Sequence, residues 1–271
     1  MSSHVQFPGE AVEVFYFGAP DQPLYGVFHQ PAANVRSCAI VLCPPIEQEY
    51  IRCHRAYRQL AVRLARAGFP TLRFDYYGTG DSSGDEAVMG LDVWLDNVGA
   101  AMEEAKSRGG ASRVALVGLR LGAALALMAA RGRPDVAAVA LWEPVVSGRE
   151  YLNELMAWHQ EKLRYFLSNI VMDSGQKPTE LLGFAITDRM FESLTSLNLL
   201  GEGQKLSNPV YIVEAEPDTL VNQLRQQLAN RSTEVTYQNA DGPRVWTDDP
   251  DKALVPNQVL EAIVNWVSGM C

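Results

Sequence analysis

Apolar residues along this chain alternate between short continuous runs and longer stretches with helical spacing. The runs Ser37–Cys43 and Arg113–Leu119 are almost wholly apolar, which is typical of strands buried on both faces of a sheet. Stretches with helical spacing follow them, at His54–Gly68 and Leu121–Arg131. This alternation predicts βαβ units that build an α/β fold, with a mostly parallel central sheet and helices on both faces.

The same reasoning extends along the rest of the chain. We predict further strands at Thr71–Tyr76, Val136–Trp142, Pro209–Glu214 and Glu234–Gln238, further helices at Leu91–Arg108 and Pro256–Ser268, and an opening antiparallel pair at Val12–Gly18 and Leu24–Gln30. Residues 145–207 show helical spacing only, including Tyr151–Asn169 and Glu180–Leu200. A helical block between two strands is typical of a lid, so we expect a core of residues 1–144 and 208–271 with a helical lid insertion at 145–207.

Composition and charge narrow the classes of function. The 271 residues are 47% hydrophobic and 20% charged, which allows a full core and argues against global disorder. A formal net charge of -9 argues against a nucleic-acid partner, and no basic amphipathic helix suggests a membrane partner. The first residues lack the basic and apolar regions of a signal peptide, and no apolar stretch is long enough to cross a bilayer.

The four cysteines, Cys38, Cys43, Cys53 and Cys271, form neither a CxxC pair nor a cluster with histidine at zinc spacing. Three of them lie within or just after one predicted strand, which argues against a disulfide framework. We therefore expect reduced thiols in a cytoplasmic protein, and we predict no metal and no cofactor.

Three motifs stand at the ends of predicted strands. Gly118-Leu-Arg120-Leu-Gly122 joins a buried strand to a helix with the spacing of a G-x-S-x-G nucleophile elbow, whose glycines let the flanking chains pack closely. Asp75-Tyr-Tyr-Gly-Thr-Gly-Asp-Ser82 matches a D-x-x-G-x-G-x-S turn, whose glycines permit a tight bend and whose serine is usually structural. The loop CPPIEQEY, residues 43–50, stands where one amide of an oxyanion hole would be supplied.

The order of elements and these motifs resemble the α/β-hydrolase superfamily over nearly the whole chain. The loop Pro44-Pro-x-x-x-Glu49, the elbow 118–123 and the strand end 141–146 are similar to a bacterial subgroup. Its members are labelled exosortase-associated or serine-aminopeptidase-like hydrolases, or lie among secondary-metabolite genes. The resemblance implies a bacterial origin and an α/β-hydrolase fold with arginine at the nucleophile elbow.

A hydrolase of this fold needs a nucleophile on the elbow, an acid after a later strand and a histidine after the last strand. The elbow carries Arg120, and a guanidinium stays protonated and cannot attack a substrate. Asp218 is a candidate for the acid, but the stretch 241–246 reads DGPRVW. The four histidines, at positions 4, 29, 54 and 159, all lie upstream. Hydrolysis by a Ser-His-Asp triad is therefore not expected.

Arg120 has two interpretations. At a helix N-terminus it would strengthen a positive field and clamp a carboxylate, a phosphate or a thioester carbonyl of a ligand. Alternatively it forms an internal salt bridge with Glu143, Glu47 or Glu49, because a buried guanidinium needs a carboxylate partner. The two interpretations are compatible if the pair lines a ligand pocket.

Other residues are candidates for proton transfer or for substrate binding. Glu49, Glu143 and His54 are candidates for moving a proton, although Glu49 can equally pair with Arg52, Arg55 or Arg120, and His54 can be a capping or surface residue. The predicted substrate-binding residues flank the elbow or lie in the lid: Cys43, Pro44, Leu121, Trp142 and His159. An inert core thiol at Cys43 and a helix-surface histidine at His159 are the alternatives.

Two functions remain open on the sequence. The first is a divergent enzyme that acts on an acyl or ester-like small molecule, or one that bears a carboxylate, in a capped pocket. The second is a non-catalytic relative that binds a small acidic ligand or a partner protein. A homodimer is compatible with either, and the fold alone decides neither.

Overall fold

A nine-stranded sheet forms the centre of the computed structural model, which describes residues 3–7, 10–166, 178–201, 206–240, 244–246 and 254–271. The strands in the described ranges are β1 Ser3–Phe7, β2 Glu10–Ala19, β3 Gln22–Gln30, β4 Cys38–Cys43, β5 Thr71–Phe74, β6 Arg113–Leu119, β7 Val136–Trp142, β8 Glu180–Leu181, β9 Phe184–Ala185, β10 Val210–Glu214 and β11 Val235–Asn239. The order in the sheet is β1-β2-β3-β5-β4-β6-β7-β10-β11, and β8 and β9 form a separate hairpin. Six neighbouring strands of this sheet are parallel, namely β5, β4, β6, β7, β10 and β11. Strands β1, β2 and β3 extend the sheet as antiparallel strands.

Helices cover both faces of this sheet, as the alternation of elements predicts. They are α1 Glu47–Arg66, α2 Leu91–Gly109, α3 Leu121–Ala130, α4 Gly148–Phe166, α5 Asp188–Ser196, α6 Thr219–Asn230 and α7 Asn257–Met270. Helices α1 and α7 pack on one face, and α2, α3 and α6 pack on the other. None of the helices in the described ranges combines the length and the apolar character that a bilayer span requires.

The central strands are buried on both faces, which confirms the interpretation of the continuous apolar runs. In β4, Ile40 and Leu42 belong to the core beneath α1 and α7, whereas Ala39 and Val41 belong to the core on the opposite face. All six residues of β4 are buried. A strand between two helical layers has no polar face, so its sequence lacks the polar alternation of a half-exposed strand.

Two predicted boundaries are wrong. Helix α1 begins at Glu47 and not at His54, and its first turns interrupt the apolar periodicity because Glu49 points inward. Residues 145–207 are not purely helical, because β8 and β9 form a hairpin and only α5 is helical within the predicted span Glu180–Leu200. Leu182 and Gly183 both have positive φ, which is the geometry of a two-residue hairpin turn.

Other departures are small. Strand β1 was not predicted, and it pairs with β2 at the edge of the sheet. The end of the predicted helix Tyr151–Asn169 and the first three residues of the predicted loop 241–246 lie outside the described residues.

The elbow between β6 and α3 packs tightly against the loop that follows β4. A Cβ atom on Gly122 would lie 2.2 Å from the carbonyl oxygen of Cys43 and 2.3 Å from that of Pro44. A Cβ atom on Gly118 would lie 2.3 Å from the carbonyl oxygen of Gly122. These contacts are to backbone atoms. A side chain on Gly122 would push the elbow away from the end of β4, and a side chain on Gly118 would push the start of α3 away from the end of β6.

Replacing Gly122 with alanine should therefore lower the free energy of unfolding, by about 3 kcal/mol, as overpacking does in a rigid core. Gly99→Ala is the matched control, because Gly99 lies within α2 with no atom within 4 Å of the added methyl group. That substitution should stabilise the protein by roughly 0.5–1 kcal/mol through helix propensity. Urea unfolding of both variants measures the difference, and equal effects would contradict the packing described here.

Candidate functional site

Arg120 occupies the tip of the elbow in a strained backbone conformation. Its φ is 55° and its ψ is -121°, in a region that side-chain-bearing residues rarely adopt. Its amide N–H donates to the carbonyl of Trp142, and its own carbonyl accepts from the amide N–H groups of Ala123 and Val145. The side chain is thereby held at the carboxyl edge of the parallel sheet, which is where ligands bind in open α/β folds.

Two carboxylates from different helices hold the guanidinium of Arg120. Its Nε donates to Oε1 of Glu49 on α1 at 2.8 Å, and its Nη2 donates to Oε2 of Glu154 on α4. The guanidinium carbon also lies 5.4 Å from the ring centroid of Tyr151 and 5.2 Å from that of Trp246. The internal salt bridge expected with Glu49 is therefore present, and Glu154 and two aromatic rings complete it.

Glu49 is the buried member of this network. Its residue is 1% exposed, and its second oxygen accepts a hydrogen bond of 2.9 Å from the hydroxyl of Tyr151. Burial raises the pKa of Glu49, while the charge of Arg120 and the hydrogen bonds from Arg120 and Tyr151 oppose that rise. Burial alone would lower the pKa of Arg120, but the charges of Glu49 and Glu154 outweigh burial and raise that pKa above its ordinary value. Every polar atom of the Glu49 carboxylate thus has a partner inside the protein.

A cavity of about 270 Å³ opens beside Arg120, and we call it the elbow cavity. Its charged lining residues are Arg120, Glu143, Glu150, Glu154, Asp218 and Arg244. The wall also contains Tyr151 and Trp246 together with aliphatic groups such as Val145 and Leu220. Four carboxylates and two guanidinium groups meet here, and both arginines lie in ion pairs, since Arg244 contacts Glu216 at 2.8 Å.

Glu143 is the buried carboxylate of the elbow cavity that Arg120 does not bind. It follows β7 with a φ of 47° and is 8% exposed. Its Oε1 accepts a hydrogen bond of 2.7 Å from the amide N–H of Ala215, and no described residue donates to its Oε2. Burial raises the pKa of Glu143 to about 7, and the amide of Ala215 opposes that rise. Near neutral pH this side chain can therefore both accept and release a proton.

The residues at the remaining triad positions also reach the elbow cavity. Asp218 follows β10 and caps α6, because its Oδ1 accepts from the amide N–H of Val221 at 2.9 Å. Arg244 and Trp246 come from the loop after β11, where a Ser-His-Asp triad would need its histidine. Trp246 is 3% exposed and packs beside the guanidinium of Arg120.

The structure separates the predicted histidines from the elbow cavity. His54 lies on α1 against Tyr50, with ring centroids 6.1 Å apart, and it lines a different cavity. Glu49 and His54 are five residues apart on one helix, so they project to different sides. His159 on α4 accepts a hydrogen bond at Nδ1 from the amide N–H of Leu182, which ties α4 to the hairpin.

Four predicted substrate-binding residues, Cys43, Pro44, Leu121 and Trp142, are buried in the described structure. Cys43 is fully buried, its burial raises the pKa of its thiol, and its carbonyl accepts from the hydroxyl of Tyr57. Trp142 stacks on Tyr57 with ring centroids 6.5 Å apart. Leu121 belongs to the core beneath α3, and the carbonyl of Pro44 accepts from Tyr76. The strand ends bring these residues close to the elbow, but their side chains face the protein interior.

Sequence reasoning missed Tyr151, Glu154 and Trp246. Tyr151 and Glu154 are three residues apart on α4, a spacing that places both on one helical face. An aromatic residue and a glutamate on the inward face of an amphipathic helix are a usable signal for a buried cationic partner. Trp246 lies in the loop after the last strand, where sequence spacing alone gives no sign of a contact with Arg120.

Among the residues that the structure describes, no three or more histidine, cysteine, aspartate or glutamate side chains are grouped so that they could hold a metal ion. Of the four carboxylates that line the elbow cavity, Glu154 is paired with Arg120.

Glu49→Gln should destabilise the fold far more than Glu154→Gln. Removing the buried charge of Glu49 should cost about 3 kcal/mol or more, because Arg120 would lose its inner partner. The side chain of Glu154 is 35% exposed, so its loss should cost about 1 kcal/mol or less. Urea unfolding of both variants measures this order. Equal losses of unfolding free energy in the two variants would contradict this order. Combining Arg120→Met with Glu49→Gln should recover part of the loss caused by Glu49→Gln, because no buried charge is then left without a partner.

Glu143 should make stability depend on pH. Its pKa is raised on folding to about 7, so its contribution is fully present below the unfolded pKa and is lost as pH rises through 7. The free energy of unfolding should fall by about 3 kcal/mol between pH 4.5 and pH 8 from this group. Glu143→Gln should flatten that part of the profile. The exposed neighbour variant Glu150→Gln should keep the wild-type profile, and an unchanged profile in Glu143→Gln would refute the assignment.

Comparisons with known proteins agree with this architecture. Residues 50–195, more than half of the chain, match the family model described as serine aminopeptidase, S33. A search of curated protein sequences finds no significant match.

Solved structures resemble the whole chain at low sequence identity. An esterase from Pyrococcus furiosus is 14% identical, with 99% of this chain and 95% of that chain covered and a TM-score of 0.68. Est1E from Butyrivibrio proteoclasticus, solved with ferulic acid bound, is 20% identical, with coverages of 94% and 98% and a TM-score of 0.66. Alpha/beta hydrolase domain-containing protein 10 from mouse is 18% identical, with coverages of 95% and 99% and a TM-score of 0.59. With the α/β-hydrolase fold shared and the family model matched, the chain belongs to the serine aminopeptidase S33 family.

Proposed function

We propose that this chain binds a small molecule in the elbow cavity and does not hydrolyse it through a Ser-His-Asp triad. The observation that carries the proposal is the guanidinium of Arg120, which stands at the nucleophile position and is bound by Glu49 and Glu154. A guanidinium is neither a nucleophile nor a general base at physiological pH. Two ion pairs fix it further as a structural cation.

The other triad positions support the same proposal. One carboxylate oxygen of Asp218 accepts a hydrogen bond at the N-terminus of α6. The loop after β11 contributes Arg244 and Trp246 to the cavity. The side chains of His54 and His159 contact Tyr50 and the backbone of Leu182. No imidazole of the described histidines lies on the wall of the elbow cavity.

Two residues of the loop after β4 cannot serve as donors to an oxyanion. An oxyanion hole uses backbone N–H groups aimed at the developing negative charge. Pro44 and Pro45 have no N–H group, and the carbonyl oxygens of Cys43 and Pro44 face Gly122. This arrangement is compatible with a binding pocket and adds no catalytic group to the elbow.

Charge indicates which small molecule the elbow cavity takes. The sequence alone suggested an anionic ligand, because Arg120 was taken as an available clamp. Its guanidinium is instead neutralised by Glu49 and Glu154, while Glu143 keeps one oxygen without a described donor. The surplus of carboxylates favours a ligand with a cationic amine or several hydrogen-bond donors, attached to an acyl or ester-like body that packs on aliphatic groups of the wall.

A second candidate function is proton transfer by Glu143. Its pKa of about 7, its burial and its free oxygen in the cavity are the properties of a general base or acid. In that case the chain is a divergent enzyme that acts on the bound ligand without a covalent intermediate at the elbow.

The proposal also covers the bacterial subgroup, the lid and the cellular compartment of the protein. On the resemblance of its loop and elbow, we place the chain in the bacterial exosortase-associated branch, with a ligand from secondary metabolism. Residues 145–207 act as the lid of the elbow cavity, since α4 supplies Glu150, Tyr151 and Glu154 to its wall. The cysteines Cys38, Cys43, Cys53 and Cys271 are free thiols, which supports a reducing cytoplasm.

A substrate and ligand panel tests the proposal. Wild type and Arg120→Ser are assayed on short- and medium-chain p-nitrophenyl esters and thioesters and with a fluorophosphonate probe. Wild type should release product at the rate of buffer and should not be labelled, and Arg120→Ser should gain little because no histidine activates the new hydroxyl. Labelling of wild type would refute the proposal.

The same protein is then melted with benzylamine and with benzoate. Benzylamine should raise the melting temperature in proportion to its saturation of the cavity, and Glu143→Gln should weaken that shift. Glu161→Gln, on the exposed side of α4, should keep the wild-type shift. The predicted ligand charge would be reversed if benzylamine did not raise the melting temperature and benzoate raised it less in Glu143→Gln than in wild type. Ester turnover that Glu143→Gln abolishes would favour the enzyme.

A further inference from the structure

A second cavity, which we call the Arg73 cavity, lies between α1 and the antiparallel edge of the sheet. Its volume is about 350 Å³, and it shares no lining residue with the elbow cavity. Strands β2, β3 and β5 form its floor and α1 forms its wall. The lining residues are Val12, Val14, Tyr25, Val27, His29, Tyr50, His54, Arg58, Arg73, Phe74, Asp75 and Asp81.

Arg73 projects from β5 into this cavity with an unusual partner. Its Nε donates to Nε2 of His29 at 3.1 Å, so the imidazole accepts and carries no charge. His29 is 2% exposed, and burial together with the charges of Arg73 and Arg58 lowers its pKa to about 3. The contact orients the guanidinium without neutralising it.

The terminal nitrogens of Arg73 have no hydrogen-bond acceptor among the described residues, and no described carboxylate lies within 4.0 Å of them. The buried carboxylate that lines the same cavity, Asp75, already has two donors. Its Oδ1 accepts from the hydroxyl of Tyr50 at 2.7 Å, and its Oδ2 accepts from the amide N–H of Asp81 at 3.0 Å. Both terminal nitrogens are accessible to solvent, because the only fully buried side-chain nitrogen or oxygen without a hydrogen-bond partner in the described residues is Oε2 of Glu214.

Arg120 shows how this fold treats an arginine whose role is structural. There, two carboxylates lie within hydrogen-bonding distance and two aromatic rings flank the guanidinium. Arg73 is partly buried like Arg120, yet it presents the two terminal nitrogens of its fork to an open space. A planar fork with free parallel N–H groups matches the two oxygens of a carboxylate.

The rest of the lining indicates the shape of the ligand. Val12, Val14 and Val27 make an apolar floor beside the guanidinium, while His54 and Asp81 lie at the exposed rim. A bare inorganic anion would leave this floor unused. We infer that the Arg73 cavity is a second ligand site, which takes a small carboxylate with an apolar body.

Nuclear magnetic resonance of the wild-type histidines tests this inference directly. The imidazole resonances of His29 and His54, assigned with His29→Gln and His54→Gln, are followed as sodium benzoate is added at constant ionic strength. Both should shift saturably, while the resonance of His159, which lies on α4 against the hairpin, should not move. Inorganic phosphate should bind more weakly than benzoate because it has no apolar body. No saturable shift, or equal shifts with sodium chloride, would overturn the inference.

Calorimetric titration of variants locates the anchor. Arg73→Gln should weaken benzoate binding by about tenfold or more, as the loss of charge-assisted hydrogen bonds predicts. Arg189→Gln removes the same charge from an exposed ion pair with Asp92 and should leave the affinity unchanged. Benzoate binding that survives Arg73→Gln would overturn the inference, as would phosphate binding as tightly as benzoate. If Arg73→Gln does not fold, the wild-type titration still decides. Benzoate bound only in the elbow cavity would leave the resonances of His29 and His54 unchanged. A failure of this inference can therefore be distinguished from a failure of the proposed function.

Discussion

The ion pairs of Arg120 with Glu49 and Glu154 are the interaction on which the site depends. They join the elbow before α3 to α1 in the core and to α4 in the segment inserted between β7 and β10. A buried guanidinium is costly without carboxylates, and Glu49 is buried so fully that it is equally costly without a cation. Backbone hydrogen bonds with Trp142, Ala123 and Val145 fix Arg120 in a conformation that is unfavourable for a side-chain-bearing residue.

This network decides the electrostatic character of the elbow cavity. An elbow at a helix N-terminus attracts negative charge, and an added arginine would strengthen that attraction. Here the protein supplies the negative charge itself, through Glu49 and Glu154. The other carboxylates of the wall remain, and one oxygen of Glu143 has no described donor. The proposed preference for a cationic ligand rests on this surplus of carboxylates.

Two arginines on neighbouring parts of the sheet illustrate the difference between a structural and an available cation. Arg120 is saturated by carboxylates, whereas Arg73 is oriented by a neutral imidazole and keeps its terminal nitrogens toward a cavity. Helix α1 takes part in both environments. Its consecutive residues Glu49 and Tyr50 bind Arg120 and Asp75, because successive side chains on a helix point about 100° apart.

The α/β-hydrolase fold could be predicted from the sequence, since buried strands and amphipathic helices leave periodic patterns that need no knowledge of distant contacts. The place of the elbow could be predicted as well, because two glycines four residues apart between a buried strand and a helix form a local motif, and Glu49 was among the expected partners of Arg120. The folded chain was needed to show that Glu154, 34 residues further along the chain, completes the pair and that Trp246 packs beside it. It likewise moved the start of α1 to Glu47 and placed His54 away from the elbow. Periodicity records which side of an element is buried, whereas the identity of a charge's partner depends on how separate elements pack, and that information is not local in sequence.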